Sequence, residues 1–215
     1  MPPEHIHAPI DAVVFDIGGV LLDWNPRYLY RKLFEDEAEM EYFLSAVCTL
    51  EWHHDNDLGI PLEQTCGRLA AEHPEHAQMI WAWGCRSEEM IAGPIEDTVT
   101  LLRELRGAGT RCYALTNMES WTFPVRQARF SFFACFEGIV VSSHERVAKP
   151  DAEIFRRVLE RFSLQAERTL LIDDAERNVD AARALGWNAI RFTSSTALRD
   201  ALAQLGLLPA RAPGR

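Results

Sequence analysis

The sequence predicts an α/β protein, a doubly wound parallel sheet with a helical subdomain inserted after the first strand, and three observations carry that prediction. Short apolar, β-branched runs alternate with segments whose apolar residues recur at three- and four-residue spacing, the rhythm of buried strands and the helices that cover them. The first run ends at Asp16 with Gly18-Gly19 just beyond, as a buried strand does on entering a tight loop. Between residues 23 and about 93 the alternation stops, helix-opening signals accumulate and no convincing strand is seen.

Taken in order, the first strand covers residues 10–15. In the insert, Asn25-Pro26 supplies a cap and a first helical position, and Pro61 and Pro74 open further helices. Its aromatic residues, Trp52, Trp81 and Trp83 included, read as its own core or as packing against the sheet. Beyond it, strands over 111–115, 138–141, 169–172 and 189–192 alternate with helices over 95–107, about 119–130, 151–162, 176–185 and 195–205. The division that follows is a Rossmann-like core, residues 1–22 and 94–215, carrying a helical cap at 23–93 that closes over the site and selects the substrate.

Composition narrows the chemistry. A formal charge of −10 opposes binding to nucleic acid or to an anionic membrane, both of which need a basic surface, whereas a small anionic metabolite needs only a local basic spot. No stretch approaches the ~18–20 apolar residues of a membrane-spanning helix. The start, MPPEHIHAP, lacks the basic and apolar regions of a secretory signal, so the expected location is the cytoplasm. The end, PARAPGR, reads as a frayed tail. Cys48, Cys66, Cys85, Cys112 and Cys135 are odd in number and contain no CxxC pair, which suggests neither a disulfide framework nor a zinc site. Oligomeric state is left open.

Basic residues are lopsided, with 20 arginines and only two lysines, Lys32 and Lys149. A chain that uses Arg almost everywhere keeps Lys where a compact ammonium is required, which singles out Lys149. It belongs to one of four polar clusters at predicted carboxyl ends of strands: Asp16, Thr116-Asn117, Lys149-Pro150 and Asp173-Asp174. Singly these read as a turn, a helix cap, a solvated charge and another cap. A parallel sheet gathers them into one crevice, where adjacent carboxylates near a third are costly unless a metal or a lysine balances them.

These residues resemble the signature of the haloacid dehalogenase (HAD) superfamily. FDIGGVLLDWNP resembles its first motif, LTN its second, AKPD its third and IDDAERNVDAARALG its fourth, in the right order over about residues 10–205, with an insertion where a helical cap of the C1 type belongs. The resemblance implies that Asp16 is a nucleophile and that Thr116 and the Asn117 backbone hold the transferring phosphoryl oxygens. It also implies that Lys149 neutralises those oxygens and that Asp173 and Asp174 serve Mg2+ together with Asp16 and the Gly18 carbonyl. Chemistry agrees with these roles: an aspartate attacks an anionic phosphate ester only if their repulsion is cancelled, and a lysine with a hard, oxygen-seeking divalent cation does that.

One position departs from the pattern. Most phosphatases of this superfamily carry a second aspartate two residues after the nucleophile as general acid–base, and here Gly18 stands in its place. Three accounts compete. Another group or a metal-bound water replaces it, as in a subgroup resembling glucose-1-phosphate phosphatases with a DLGNV-like first motif; His53, His54, Asp23 and Glu119 are candidates. Alternatively the protein is a 2-haloacid dehalogenase, whose halide leaves without a proton, although the acidic pair at 173–174 resembles the metal-binding version. Or it is a non-catalytic phosphate-binding or regulatory module. The leading expectation is a Mg2+-dependent phosphatase acting on a small phosphorylated metabolite, a sugar phosphate being one candidate.

Overall fold

The structure is a computed structural model describing residues 9–209, so nearly all of MPPEHIHAP and PARAPGR lies outside the described residues. Strand β1 (Ala12–Phe15) is the centre of a five-stranded, wholly parallel sheet. Its alternation sorts side chains to two faces: Val13 and Phe15 join one apolar core, Ala12 and Val14 the other. All four residues are buried, which is why this strand reads as a continuous apolar run.

After a loop at 16–21, β2 (Leu22–Trp24) pairs antiparallel with β3 (Ile91–Pro94), and the helical insert lies between them. This ribbon corrects the expectation of no strand within 23–93. The arms are three and four residues long, too short to show a period, and the second contains Gly93 and Pro94; the pairing partner lies nearly 70 residues away in the chain. In the insert, α1 (Arg27–Tyr30) starts just after Pro26, with Asn25 Oδ1 accepting from Arg27 N at 3.0 Å, so the expected cap is present on a helix of one turn. Then come α2 (Glu37–Tyr42), a π-helical turn (Phe43–Val47), α3 (Leu50–Asp57), α4 (Leu62–Glu72) directly after Pro61, and α5 (Ala77–Cys85), reached through a 3-10 turn that Pro74 opens. Trp83, Tyr30 and Phe43 are fully buried in a third core formed by the insert itself, with Trp52 and Trp81 packed at its edge.

The remaining elements follow the predicted order. They are α6 (Glu96–Gly107), β4 (Arg111–Thr116), α7 (Phe123–Arg129), β5 (Gly138–Val141), the short α8 (Ser142–Glu145), α9 (Ala152–Phe162), β6 (Thr169–Asp173), α10 (Glu176–Ala184), β7 (Asn188–Arg191) and α11 (Ser195–Gln204). Apolar faces of α6 and α11 cover one side of the sheet through Leu102, Leu105, Leu198 and Leu202, and those of α9 and α10 cover the other through Phe155, Val158 and Val179. Strand order is β5-β4-β1-β6-β7, so β1 is flanked by β4 and β6. Phe15 lies opposite both Ala114 and Ile172, which brings the carboxyl ends of the three central strands to one level. No helix among the described residues is long and apolar enough to cross a membrane.

Candidate active site

Asp16 is the first residue beyond β1. Its backbone N–H donates to the Ile172 carbonyl at 2.9 Å, and its Oδ1 accepts from the Ile17 N–H at 2.7 Å. Lys149, 1% exposed, arrives on the loop between α8 and α9 and places Nζ 2.9 Å from Asp16 Oδ2 and 2.6 Å from Asp173 Oδ2. Asp173 is wholly buried at the end of β6. Its carboxylate also accepts from the Ala175 N–H at 2.9 Å and from Asn178 Nδ2 at 2.9 and 3.2 Å. Asp174 is exposed, and its carboxylate lies over Gly19: a Cβ on Gly19 would meet Asp174 Oδ2 at 2.4 Å, and the φ of +73° there also favours glycine. Gly18 is different. A Cβ added there meets nothing within 4 Å, so packing does not exclude a side chain from that position.

The electrostatics of this cluster follow from three carboxylates around one ammonium. Burial pushes the Asp16 carboxyl up to about 8; Lys149 opposes the shift, and Asp173 and Asp174 add to it. Asp174 is raised too, first by desolvation and then by Asp173. Burial acts to lower the Lys149 pKa, but Asp16 and Asp173 outweigh it and hold the lysine charged above its ordinary range. Negative charge is thus under-compensated at a place where Asp16, Asp173 and Asp174 each offer an oxygen within 4.8 Å of the others. Such an all-oxygen, anionic donor set fits a hard divalent cation.

A pH dependence follows. A carboxyl whose folded pKa is about 8, against an ordinary value of 3.8, stabilises the fold most below the lower value, and that stability is lost as pH rises through the higher one. In chelator, thermal stability is therefore expected to fall between about pH 4 and pH 8. A divalent cation held by these carboxylates would compete with the proton on Asp16, so added Mg2+ should raise the melting temperature more at pH 8 than at pH 6. Melts across that range with and without the ion provide the check.

The loop after β4 completes the crevice. Thr116 is 1% exposed, and its Oγ1 makes only a long contact of 3.4 Å to the Asn117 carbonyl. The Asn117 side chain clasps the Lys149 backbone in both directions, Nδ2 donating to the carbonyl at 3.0 Å and Oδ1 accepting from the N–H at 2.9 Å. Neither this clasp nor the contact of Asn178 with Asp173 is anticipated from the motifs. Asn178 carries one sequence signal, its place a little over one helical turn beyond the acidic pair.

The insert reaches the same loop. Glu119, 4% exposed, accepts from Thr122 Oγ1 at 2.8 Å, faces Arg126 Nη1 at 3.7 Å and faces His53 Nε2 of α3 at 3.4 Å. Burial acts to raise its pKa, but His53 and Arg126 outweigh it and the carboxyl is held below its usual range. His53 accepts at Nδ1 from the Trp83 indole N–H at 3.0 Å, so its own N–H lies on Nε2, toward Glu119 and, at 3.8 Å, Asp57 Oδ1. Of the four candidate replacements for the missing acid, His53 and Glu119 fall in this cluster. Asp23 lies on the ribbon, where both its oxygens accept from Tyr28 Oη at 2.9 Å, and His54 is half-buried on α3.

Comparison with known proteins bears on these geometries. A family model for haloacid dehalogenase-like hydrolases matches residues 10–186. The chain is 28% identical over 194 residues to the sesquiterpene phosphatase astK of Aspergillus oryzae, covering 90% of this chain and 95% of that protein. It is 34% identical over 197 residues to the GMP/IMP nucleotidase YrfG of Escherichia coli, covering 82% of this chain and 80% of that one. Among solved structures, a HAD family enzyme of Bacteroides thetaiotaomicron in complex with magnesium and inorganic phosphate matches with a TM-score of 0.63, at 22% identity, over 86% of this chain and 94% of its own.

Proposed function

The chain belongs to the haloacid dehalogenase-like hydrolases, and on that premise we propose that it is a magnesium-dependent phosphatase that hydrolyses a small phosphorylated metabolite through an aspartyl-phosphate on Asp16. The observation that carries the reading is the buried Lys149 ammonium between Asp16 and Asp173. It cancels charge beside a carboxylate that must approach an anionic ester. Asp16 attacks phosphorus, the bond to the leaving oxygen breaks, and water then attacks the phosphorus of the acyl phosphate to release phosphate and the free carboxylate. Thr116 Oγ1 and the Asn117 N–H would hold the phosphoryl oxygens, and the Asn117 side chain keeps Lys149 in place beside them.

Asp16, Asp174 and the Gly18 carbonyl would hold Mg2+, which supplies further positive charge to the phosphoryl group when bound. Asp173 is best read as an anchor one step removed, because Lys149, Asn178 and the Ala175 N–H already occupy its oxygens. The solved relative with magnesium and inorganic phosphate supports this assignment of the cation.

The insert at 23–93 is read as a cap over a core of residues 1–22 and 94–215. Support comes from α3, which meets the Glu119 loop through His53, and from Gly59 just beyond it, where a Cβ would lie 2.6 Å from the Ser143 carbonyl oxygen of α8. The curated relatives are named for a sesquiterpene phosphatase and a GMP/IMP nucleotidase, names that share the phosphate but not the group that carries it. The FDIGGV motif resembles that of the glucose-1-phosphate phosphatase-like subgroup, which adds sugar phosphates to the substrates worth testing.

The test is a panel of prenyl, nucleoside and sugar monophosphates together with 2-chloropropionate, each with Mg2+ and with a chelator. Phosphate release that depends on Mg2+ is the expected result. Chloride release from 2-chloropropionate at full rate in chelator, with every ester untouched, would put a dehalogenase in place of the phosphatase.

A further inference from the structure

Hydrolysis at Asp16 leaves a proton unaccounted for, since Gly18 offers no carboxyl, and three of the four groups proposed from sequence are engaged elsewhere, the fourth, His54, being half-buried on α3. Asp23 accepts from Tyr28; Glu119 is held by Thr122 and Arg126; His53 is pinned at Nδ1 by Trp83. Asp57 is not engaged in this way. Its side chain is 13% exposed, among the described residues no hydrogen bond to its carboxylate is found, and His53 Nε2 stands 3.8 Å from its Oδ1. It is the last residue of α3, where the helix presents unpaired carbonyls and disfavours a negative charge. Gly59, two residues on, has a φ of +84° and sits against Ser143 of α8, so the end of α3 is docked on the wall of the crevice that Lys149 enters.

Resting on the phosphatase reading above, we infer that Asp57 is the general acid–base of this site, supplied by the insert in place of the carboxyl missing at Gly18. In the first displacement, Asp16 bonds to phosphorus, the ester P–O bond breaks, and the Asp57 carboxyl gives its proton to the leaving oxygen. In the second, a water oxygen bonds to phosphorus, the acyl phosphate P–O bond breaks, Asp57 takes the water proton, and the Asp16 carboxylate is restored. Protons balance over the cycle, and no further reactant is needed.

The surroundings suit an acid that must start protonated. Burial raises the Asp57 carboxyl to about 6; Glu119, in the loop after β4, adds to the rise, and His53 and His54 on its own helix and Lys149 across the crevice oppose it. An acid of this kind contributes about 10²–10⁴ in rate, and more to a basic leaving group than to one that departs unaided.

The test compares phenyl phosphate with p-nitrophenyl phosphate, which share a shape and differ in leaving-group basicity, using the full-length protein with Mg2+. Asp57→Asn is expected to lower kcat/KM for phenyl phosphate about 10²-fold and for p-nitrophenyl phosphate less than about fivefold. It should also remove the fall in phenyl phosphate turnover above about pH 6. Thermal stability should not drop, because the variant replaces a half-buried carboxylate that accepts no hydrogen bond among the described residues. Gly18→Asp in the Asp57→Asn background, where the added side chain meets open space, should restore at least tenfold of the lost phenyl phosphate activity. Equal losses on both esters, or none, would overturn the assignment while leaving the phosphatase reading intact. A native protein that hydrolyses neither ester with Mg2+ would overturn both.

Discussion

Asp16→Asn is expected to abolish phosphate ester turnover, by about 10³-fold or more, in a protein that remains folded. The amide occupies the carboxyl's space but cannot bond to phosphorus, so no leaving group, however good, rescues it. In this respect the variant differs from Asp57→Asn, whose effect depends on the leaving group. Stability should behave in the opposite sense to activity. The Asp16 carboxyl is raised to about 8, chiefly by burial, so the native fold is carrying a group it disfavours when ionised. Replacing that group by a neutral isostere should leave the melting temperature in chelator at pH 8 unchanged or higher, and should reduce the gain on adding Mg2+. Single-turnover phosphate release and melting curves read both effects. Residual turnover within tenfold of the native rate would mean that Asp16 is not the nucleophile.

Lys149→Met is expected to damage stability and catalysis together. The lysine is 1% exposed and joins Asp16 to Asp173, so its loss leaves two buried carboxylates facing each other without a counter-ion. Breaking a buried pair by removing one partner costs about 3–5 kcal/mol, which for a chain of this length lowers the melting temperature by roughly 6–20 °C. The direction with pH is set by the carboxylates. As pH falls, protons take over the neutralising role of the lysine, so the deficit should shrink toward pH 4 and be largest near pH 8. Loss of a fixed charge beside the developing phosphoryl charge should lower kcat by about 10²–10³. Lys149→Arg is not a conservative rescue, since a planar guanidinium cannot take the place of a compact ammonium between two buried carboxylates. A Lys149→Met protein that melts like the native one would show that the three-residue cluster is not what holds the strand ends together.

Much of this architecture is written locally in the chain. The apolar runs at β1, β4, β5, β6 and β7 and the spaced apolar faces of the helices between them need only short-range pattern to be read, because burial on both faces of a parallel sheet demands near-continuous apolar strands. Polar residues at the ends of such runs mark the crevice, so Asp16, Thr116-Asn117 and Asp173-Asp174 could be gathered in advance, whereas Lys149 reaches it from the loop beyond α8, eight residues after β5 ends. The β2–β3 ribbon could not: its two arms are too short to carry a period, and only their contact makes them strands.

The same distinction holds within the site. Residue type and position after a strand determine which groups stand at the crevice. Which of them is satisfied, and so available, depends on partners distant in sequence: Trp83 on His53, Tyr28 on Asp23, Asn117 on the Lys149 backbone, and Arg126 beside Glu119. Asp57 carries no motif. It stands out only because packing leaves it half-buried at a helix end with no hydrogen bond to its carboxylate among the described residues, and burial and hydrogen-bond satisfaction belong to the whole fold, since both are set by segments that meet only after the chain has closed around them.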